Sequence, residues 1–439
     1  MHSFIIDCLY GYVDLLTIGL LLGCVWYAIQ LIRRPKSARW YSAGQQMKQQ
    51  QWLFGDWQET VRNRVAPWLF TVAVCVYQFQ IFFINSQYRD RLPGLYEYGT
   101  MVLDHLMILC LILKILFAAR YSAGQLVSSF AALFVIRWVF MNNHDKWMMM
   151  ALLIALAAKD VPLRRALKHC FAVALSSVSV VAVSSLLGII GTVQDQETAR
   201  CRNSFGYGWY NYFGACLLAI ALMYLCLRQI HRLKWFDFAF LGALALLCNF
   251  GPDSRAATVC LVLLLVGAAL LRVWPKLLTV LPMRILAAAS PLVLFALSMG
   301  LTLAWDPANG LMVKLNHLLS GRLELGWQAL GEMPFRIAGQ MPSETMLVDN
   351  AYVHYWLLAG PVVSVMIWLA MGLLIWKLLK QQKNTEAVCC LVMLCHAMME
   401  THIMWACVNL AWWLMAGVIF GMKKQPDFAC EKVNRKRSE

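Results

Sequence analysis

The chain has 439 residues, of which 61% are hydrophobic and only 14% charged, whereas a soluble globular protein is nearer half apolar and a quarter charged. These values exclude an ordinary cytosolic domain, a disordered chain and a disulfide scaffold. The formal charge of +15 would suggest nucleic acid in a soluble protein, but in a membrane protein it asks which side of the bilayer holds the cations.

The apolar residues come in repeated blocks of roughly 20, each long enough to cross a hydrocarbon core of about 30 Å. The first, Leu9 to Ile32, runs into Arg33, Arg34, Lys36 and Arg39. It is too long for a signal-peptide core and no small-residue cleavage site follows, so it reads as a span ending on the cytoplasmic side. The segment 33–66, with Trp40, Trp52 and Trp57 among its cations, reads either as a helix lying in the cytoplasmic interface or as a solvated basic loop.

Further blocks cover 67–85, 99–118, 123–141, 147–158, 170–190, 210–227, 235–250, 256–271, 285–303 and 351–376. The last, 387–421, is too long for one span and reads as two short ones hinged at Glu400-Thr401-His402. The expected fold is therefore all-α, one polytopic domain with 12–13 transmembrane helices. Alternating the spans gathers 27 of the 38 Lys and Arg residues on one side, including the tail 422–439. By the positive-inside rule that side is cytoplasmic, and the loops 192–209 and 304–350 face outward. No repeat or two-halves symmetry is visible. The fifteen cysteines mostly sit in apolar spans, where the expected role is that of small buried hydrophobes; Cys201, in an outward loop, has no obvious partner.

The outward cations gather in four polar contexts. The loop 192–209 ends in Arg202-Asn203-Ser204-Phe205-Gly206, with Asn211 just beyond; the next outward turn holds Asp253-Ser254-Arg255; the long loop holds Gly321-Arg322-Leu323-Glu324 and Trp327; and it closes on Asp349-Asn350-Ala351-Tyr352-Val353-His354. An arginine offers a planar, always-charged fork suited to phosphate oxygens. Arg202, Arg255 and Arg322 at the outer rims of separate spans suit one diphosphate at headgroup depth, or each simply snorkels to the interface. Arg322 and Glu324 diverge if their segment is helical, which gives them separate roles. Asp349 precedes a long span and either caps that helix or acts as a general base, with His354 within two turns of it. Glu400 at the hinge is costly unless paired, so it is a site candidate or an ion-pair partner of an outer arginine. Asp104, Lys114 and Arg137 remain ambiguous between structure and function.

These four segments, in this order, resemble the Wzy-type bacterial polysaccharide polymerases of the O-antigen ligase superfamily. The resemblance rests on Arg202-Asn203-Ser204-x-Gly206 with Asn211, Ser254-Arg255, Gly321-Arg322 with Trp327, and Asp349-Asn350 with Tyr352. Lys159-Asp160-Val161-Pro162, Glu400 and Asn409 also look like family positions. Where family members often carry His-Pro ahead of the first Asn, this chain has Trp209-Tyr210. Ligase relatives tend to carry a His where Asp349-Asn350 stands, which favours a polymerase.

The resemblance implies a C-type glycosyltransferase (GT-C) fold in the bacterial cytoplasmic membrane, with the site facing outward. It implies polymerisation of undecaprenyl-diphosphate-linked oligosaccharide units, which serve as donor and acceptor, with a flippase and a chain-length regulator as partners. Arg202, Arg255 and Arg322 would stabilise the departing diphosphate. Asp349, or else Glu324, would activate the acceptor hydroxyl, and Asn203, Asn211, Ser254, Asn350, Tyr352, His354 and Glu400 would contact substrate. No cofactor, metal or nucleic acid is expected; membrane lipids are. The competing readings are a polysaccharide ligase and, in another class, a transporter of the same lipid-linked sugars, which would call for ionisable residues near mid-membrane.

Overall fold

The computed structural model describes residues 2–32, 51–52, 59–195, 202–343, 347–424, 426 and 428. The proposed interfacial segment 33–66 lies largely outside them, as do Cys201 and most of the tail 422–439.

Among the described residues the chain is an almost wholly helical bundle, and nine helices are long and apolar enough to cross a membrane. In chain order the helices are α1 (His2–Ile32), α2 (Glu59–Phe79, continued by a π-helical turn Gln80–Ile84), α3 (Pro93–Leu116), α4 (Ala123–Asn143), α5 (Lys146–Ala157), α6 (Leu163–Leu186) and α7 (Tyr210–Arg228). There follow α8 (Trp235–Phe250), α9 (Arg255–Val273), α10 (Leu281–Leu303), α11 (Gly310–Leu318), α12 (Arg322–Glu332), α13 (Ala351–Lys380) and α14 (Asn384–His396). Of these, α5, α8 and α14 are apolar but shorter than a usual span. This is a multi-pass helical membrane protein. Its sheet content among the described residues is two antiparallel pairs of two-residue strands, 51–52 with 120–121 and 194–195 with 202–203.

The helix ends alternate between two ends of the bundle. At one, Gln87 N donates to Gly206 O, Asn203 N to Gly251 O, and Ala351 N to Ala397 O. At the other, Lys114 Nζ donates to Lys159 O, Ile230 N to Thr385 Oγ1, and Asn384 Nδ2 to Pro275 O. The polar loops that alternation assigns to one side therefore share one end of the molecule. Large apolar side chains face outward along the shaft, and exposed Trp209, Trp235 and Trp274 stand at helix ends, where amphipathic rings suit headgroup level.

The centre is α5, whose residues Met148 to Ala158 are each no more than 5% exposed. Its start is fixed by Asp145, whose carboxylate accepts from Trp147 N at 2.9 Å; such a cap satisfies a first-turn N–H that has no helical partner. Two features depart from the hydropathy reading. First, the block 387–421 is not two helices. After α14 the chain returns through turns and single helical turns, buried throughout the stretch 403–416 except for the half-buried Trp405. Irregular backbone at that depth is tolerated only inside protein, and side chains supply its hydrogen bonds. Asn409 Nδ2 and Trp412 Nε1 both donate to Ile403 O, and Ala411 N donates to Asn409 Oδ1.

Second, α13 is broken at Gly360, whose φ of 76° and ψ of 160° are non-helical. The freed Leu358 carbonyl accepts from Asn143 Nδ2 at 2.9 Å and from Gln340 N at 3.3 Å. The end of the long loop thus packs against the broken helix. A Cβ on Gly360 would lie 2.1 Å from Ile337 O, and one on Gly339 1.9 Å from Leu358 O, so only glycine permits this approach.

Candidate functional site

The loop before α7 builds the first half of the site. Phe205 and Gly206 take left-handed φ values of 49° and 84°, turning the chain back on itself. Asn203 Oδ1 holds the turn by accepting from Thr192 Oγ1 at 2.6 Å and from Phe205 N at 2.7 Å, while Ser204 Oγ accepts from Val193 N at 2.9 Å. The Asn203 carbonyl is thus engaged in shaping the loop. The turn leaves Arg202 with its guanidinium 4.7 Å from the ring centroid of Tyr210 and its Nε 3.7 Å from Asp253 Oδ2. That Nε is buried and makes no hydrogen bond. Cation–π attraction orients the side chain without using its in-plane donors.

Ser254 is buried at 1% exposure because α7 presses on it: a Cβ on Gly214 would lie 2.4 Å from Ser254 Oγ. Arg255, the first residue of α9, is exposed. The first turn of α7 and the start of α9 therefore stand side by side, with Arg202 and Asp253 bridging them.

The second half centres on Arg322. Gly321, at φ 84°, takes the left-handed conformation that starts α12, a position at which a side chain would be strained. Arg322 then makes three hydrogen bonds: Nε donates to Met399 O at 2.6 Å, Nη1 to Leu319 O at 3.2 Å, and Nη2 to Glu400 Oε1 at 2.8 Å. The same Nη2 lies 3.4 Å from Asp349 Oδ2. Glu400 Oε1 also accepts from Asn211 Nδ2 at 3.0 Å. The carboxylates differ in access, with side-chain exposures of 9% for Glu400 and 51% for Asp349. Burial pushes the Glu400 carboxyl up to about 7, the Arg322 guanidinium beside it pulling the other way and the Asp349 charge adding to the rise.

The two halves are joined by consecutive residues of α7: Tyr210 lies under Arg202, and Asn211 binds Glu400. Arg202, Asn211, Arg322, Asp349 and Glu400, from four segments remote in sequence, thus converge at one end of the bundle, and Arg255 lies at the same end.

Other candidates fall elsewhere. Asn350, not Asp349, caps α13, its Oδ1 accepting from Tyr352 N at 3.0 Å; the capping role open to Asp349 belongs to its neighbour. Tyr352 is 0% exposed, donates to Leu394 O at 3.0 Å and packs on Trp368, so its ring lies in the helix core. His354 is half-buried against Tyr355. Because α12 is helical, Glu324 does diverge from Arg322 and instead accepts from Asn316 Nδ2 at 3.2 Å. Lys159 and Asp160 pair at 2.5 Å at the opposite end, and Asn409 is spent on backbone. Arg137 and Asp14 pair at 2.6 Å between α4 and α1.

Tyr210 and Asp253 were not singled out from the sequence. Their signals were a departure from the family pattern at 209–210 and a carboxylate two residues before Arg255. Among the described residues no group of three or more His, Cys, Asp or Glu side chains is placed to hold a metal ion. No protein-family model, curated protein or solved structure matches the chain.

Proposed function

We propose that the protein is a membrane glycosyltransferase that polymerises lipid-diphosphate-linked oligosaccharide units. It is read as a GT-C-like enzyme of the bacterial cytoplasmic membrane with this end of the bundle facing outward. The observation that carries the reading is the convergence on the first turn of α7. An arginine stacked on Tyr210 and facing Asp253 (Arg202) stands on one side, and an arginine braced between a buried and an open carboxylate (Arg322) on the other.

In the proposed reaction a hydroxyl of the acceptor unit attacks the anomeric carbon of the growing chain. Asp349 takes the hydroxyl proton; its carboxylate is half exposed, whereas Glu400 is enclosed and serves to hold Arg322 in place. The bond from the anomeric carbon to the diphosphate oxygen breaks, and the electron pair leaves on undecaprenyl diphosphate. Arg202, Arg255 and Arg322 stabilise the developing charge, with donors already oriented before the reaction. A diphosphate leaves without protonation, so the scheme uses no general acid and no metal. A flippase delivering the units and a regulator of chain length complete the proposed setting.

The test is to incubate purified protein in detergent with one lipid-diphosphate repeat unit and resolve the products. A ladder is expected. No product without a second, different acceptor would overturn polymerisation in favour of ligation. In cells, Arg255→Ala and Asp349→Ala should each abolish long polysaccharide while the protein stays in the membrane at normal level; normal chain lengths in both would refute the site.

A further inference from the structure

A cavity of about 470 Å³ opens between the π-helical turn after α2, the first turns of α3, and the start of α5. It is lined by Gln80, Tyr96, Glu97, Asp104, Lys146 and Trp147, among others, and its size is that of a small-molecule site. The π-helical turn carries Gln80, whose Nε2 donates to Asp104 Oδ1 at 2.7 Å; such widened turns recur where a helix serves a site. Lys146 Nζ lies 4.7 Å from the centroid of the Trp147 ring. The charges of Asp104 and Asp145 act on it, yet among the described residues no hydrogen bond or ion pair engages the ammonium.

A relay of aromatic rings connects this cavity to the candidate site. Trp147 stacks on Trp405 at 4.6 Å, and Trp405 meets the rings of His402 at 4.4 Å and Tyr212 at 5.6 Å; Tyr212 follows the Asn211 that binds Glu400. The lining holds two carboxylates against one ammonium, which disfavours a diphosphate. It also combines aromatic faces with an amide, a carboxylate and an ammonium, groups that bind vicinal hydroxyls while a ring packs on the apolar face of a pyranose.

We propose that this cavity is a carbohydrate subsite, seating a pyranose of the oligosaccharide next to the reacting centre while the diphosphate stays on the arginines. The proposal rests on the glycosyltransferase reading and extends it to a second, phosphate-free subsite.

The probe is the soluble repeat-unit oligosaccharide released by mild acid from the host's lipid-linked pool. Its binding to the full chain in detergent is followed by saturation-transfer NMR, beside the KM of the polymerisation assay. Glu97→Gln and Tyr98→Ala change side chains at the cavity mouth, the latter 68% exposed, and Asp104→Asn keeps shape while removing charge. Each should weaken binding by about tenfold, the loss expected for one hydrogen bond to a charged group or one ring contact, and raise KM with kcat nearly unchanged. Wild-type binding and KM in all three variants would overturn the subsite even if the wild-type chain makes a ladder. Binding that the three variants weaken, with no ladder from the wild type, would leave the subsite standing and refute polymerisation.

Discussion

The pairing of Arg322 with Glu400 can be dissected by a double-mutant cycle that separates folding from function. Arg322→Met removes three donated hydrogen bonds and leaves Glu400, 7% exposed, without its cation. Breaking a buried ion pair from one side costs about 3–5 kcal/mol, and the two abandoned carbonyls of Leu319 and Met399 add about 1 kcal/mol each. Asp349 contributes little to this figure because it is half exposed at 3.4 Å. Arg322→Met with Glu400→Leu removes the stranded charge as well, so the double variant should lose only about 2–3 kcal/mol, from the carbonyls and the Asn211 amide. The coupling is then about 2 kcal/mol or more. The assay is denaturant or thermal unfolding of the purified chain in detergent at about pH 8, where the Glu400 carboxyl, at about 7, is mostly ionised. Both variants should fail in the ladder assay. With Glu400→Leu alone closing the cycle, a double variant whose loss equals the sum of the two single losses would show that the two residues do not couple. A stable double variant that still makes polymer would remove Arg322 from the mechanism.

Stability should also report the Glu400 proton directly. Its folded-state value of about 7 against an ordinary 4.5 means the folded chain holds a proton that the unfolded chain releases in that window. Stability is therefore full below it and falls as pH rises through it, by about 3 kcal/mol in order of magnitude. Asp145, pushed up to about 6 by burial, steepens the lower part of the same slope. Glu400→Gln should flatten the upper part, and an unchanged slope would refute the assignment. Gly360→Ala forces a side chain into a left-handed φ and onto Ile337 O, costing about 1–3 kcal/mol in strain alone; an unaltered unfolding temperature would mean the break in α13 is not held there. Tyr210→Leu removes the ring under Arg202 and should lower kcat severalfold with the protein intact, as expected for a contact of about 1 kcal/mol; an unchanged kcat would show that the stacking does not position Arg202.

Sequence reasoning found the apolar blocks because hydropathy depends on composition alone; it singled out Asp349 and Glu400 because charge against an apolar run is conspicuous, and Arg322 through its Gly321-Arg322 context in the long loop. It offered Glu400 an outer arginine as partner without saying which one, and it did not join Asn211 or Asp349 to the pair. Asn211 and Glu400 are 189 residues apart, and no periodicity links positions that meet only through tertiary packing. The break at Gly360-Pro361 was invisible because a Gly-Pro step inside an unbroken apolar run leaves hydropathy unchanged. The irregular return after α14 was missed for the same reason: its hydrogen bonds come from Asn409 and Trp412 side chains that count as ordinary members of an apolar block. Asn350 rather than Asp349 became the cap because the choice between adjacent capping residues depends on which one adopts the extended backbone before the helix, φ −71° and ψ 109° at Asn350.

The enclosure of α5 bears on how the chain is assembled in the membrane. Its 12 residues span about 18 Å at 1.5 Å per residue, well short of a hydrocarbon core of about 30 Å. With hardly any surface left for lipid, α5 gains its stability from protein neighbours: α3, α4 and the returning stretch around 411–414. That stretch is synthesised more than 250 residues later. During translation α5 must therefore wait as one arm of a hairpin with α4, turned at Asn143-His144-Asp145, until the C-terminal segment closes over it. The helix at the geometric centre is among the last to reach its final packing, and the polar end above it becomes complete only once Glu400 has been made.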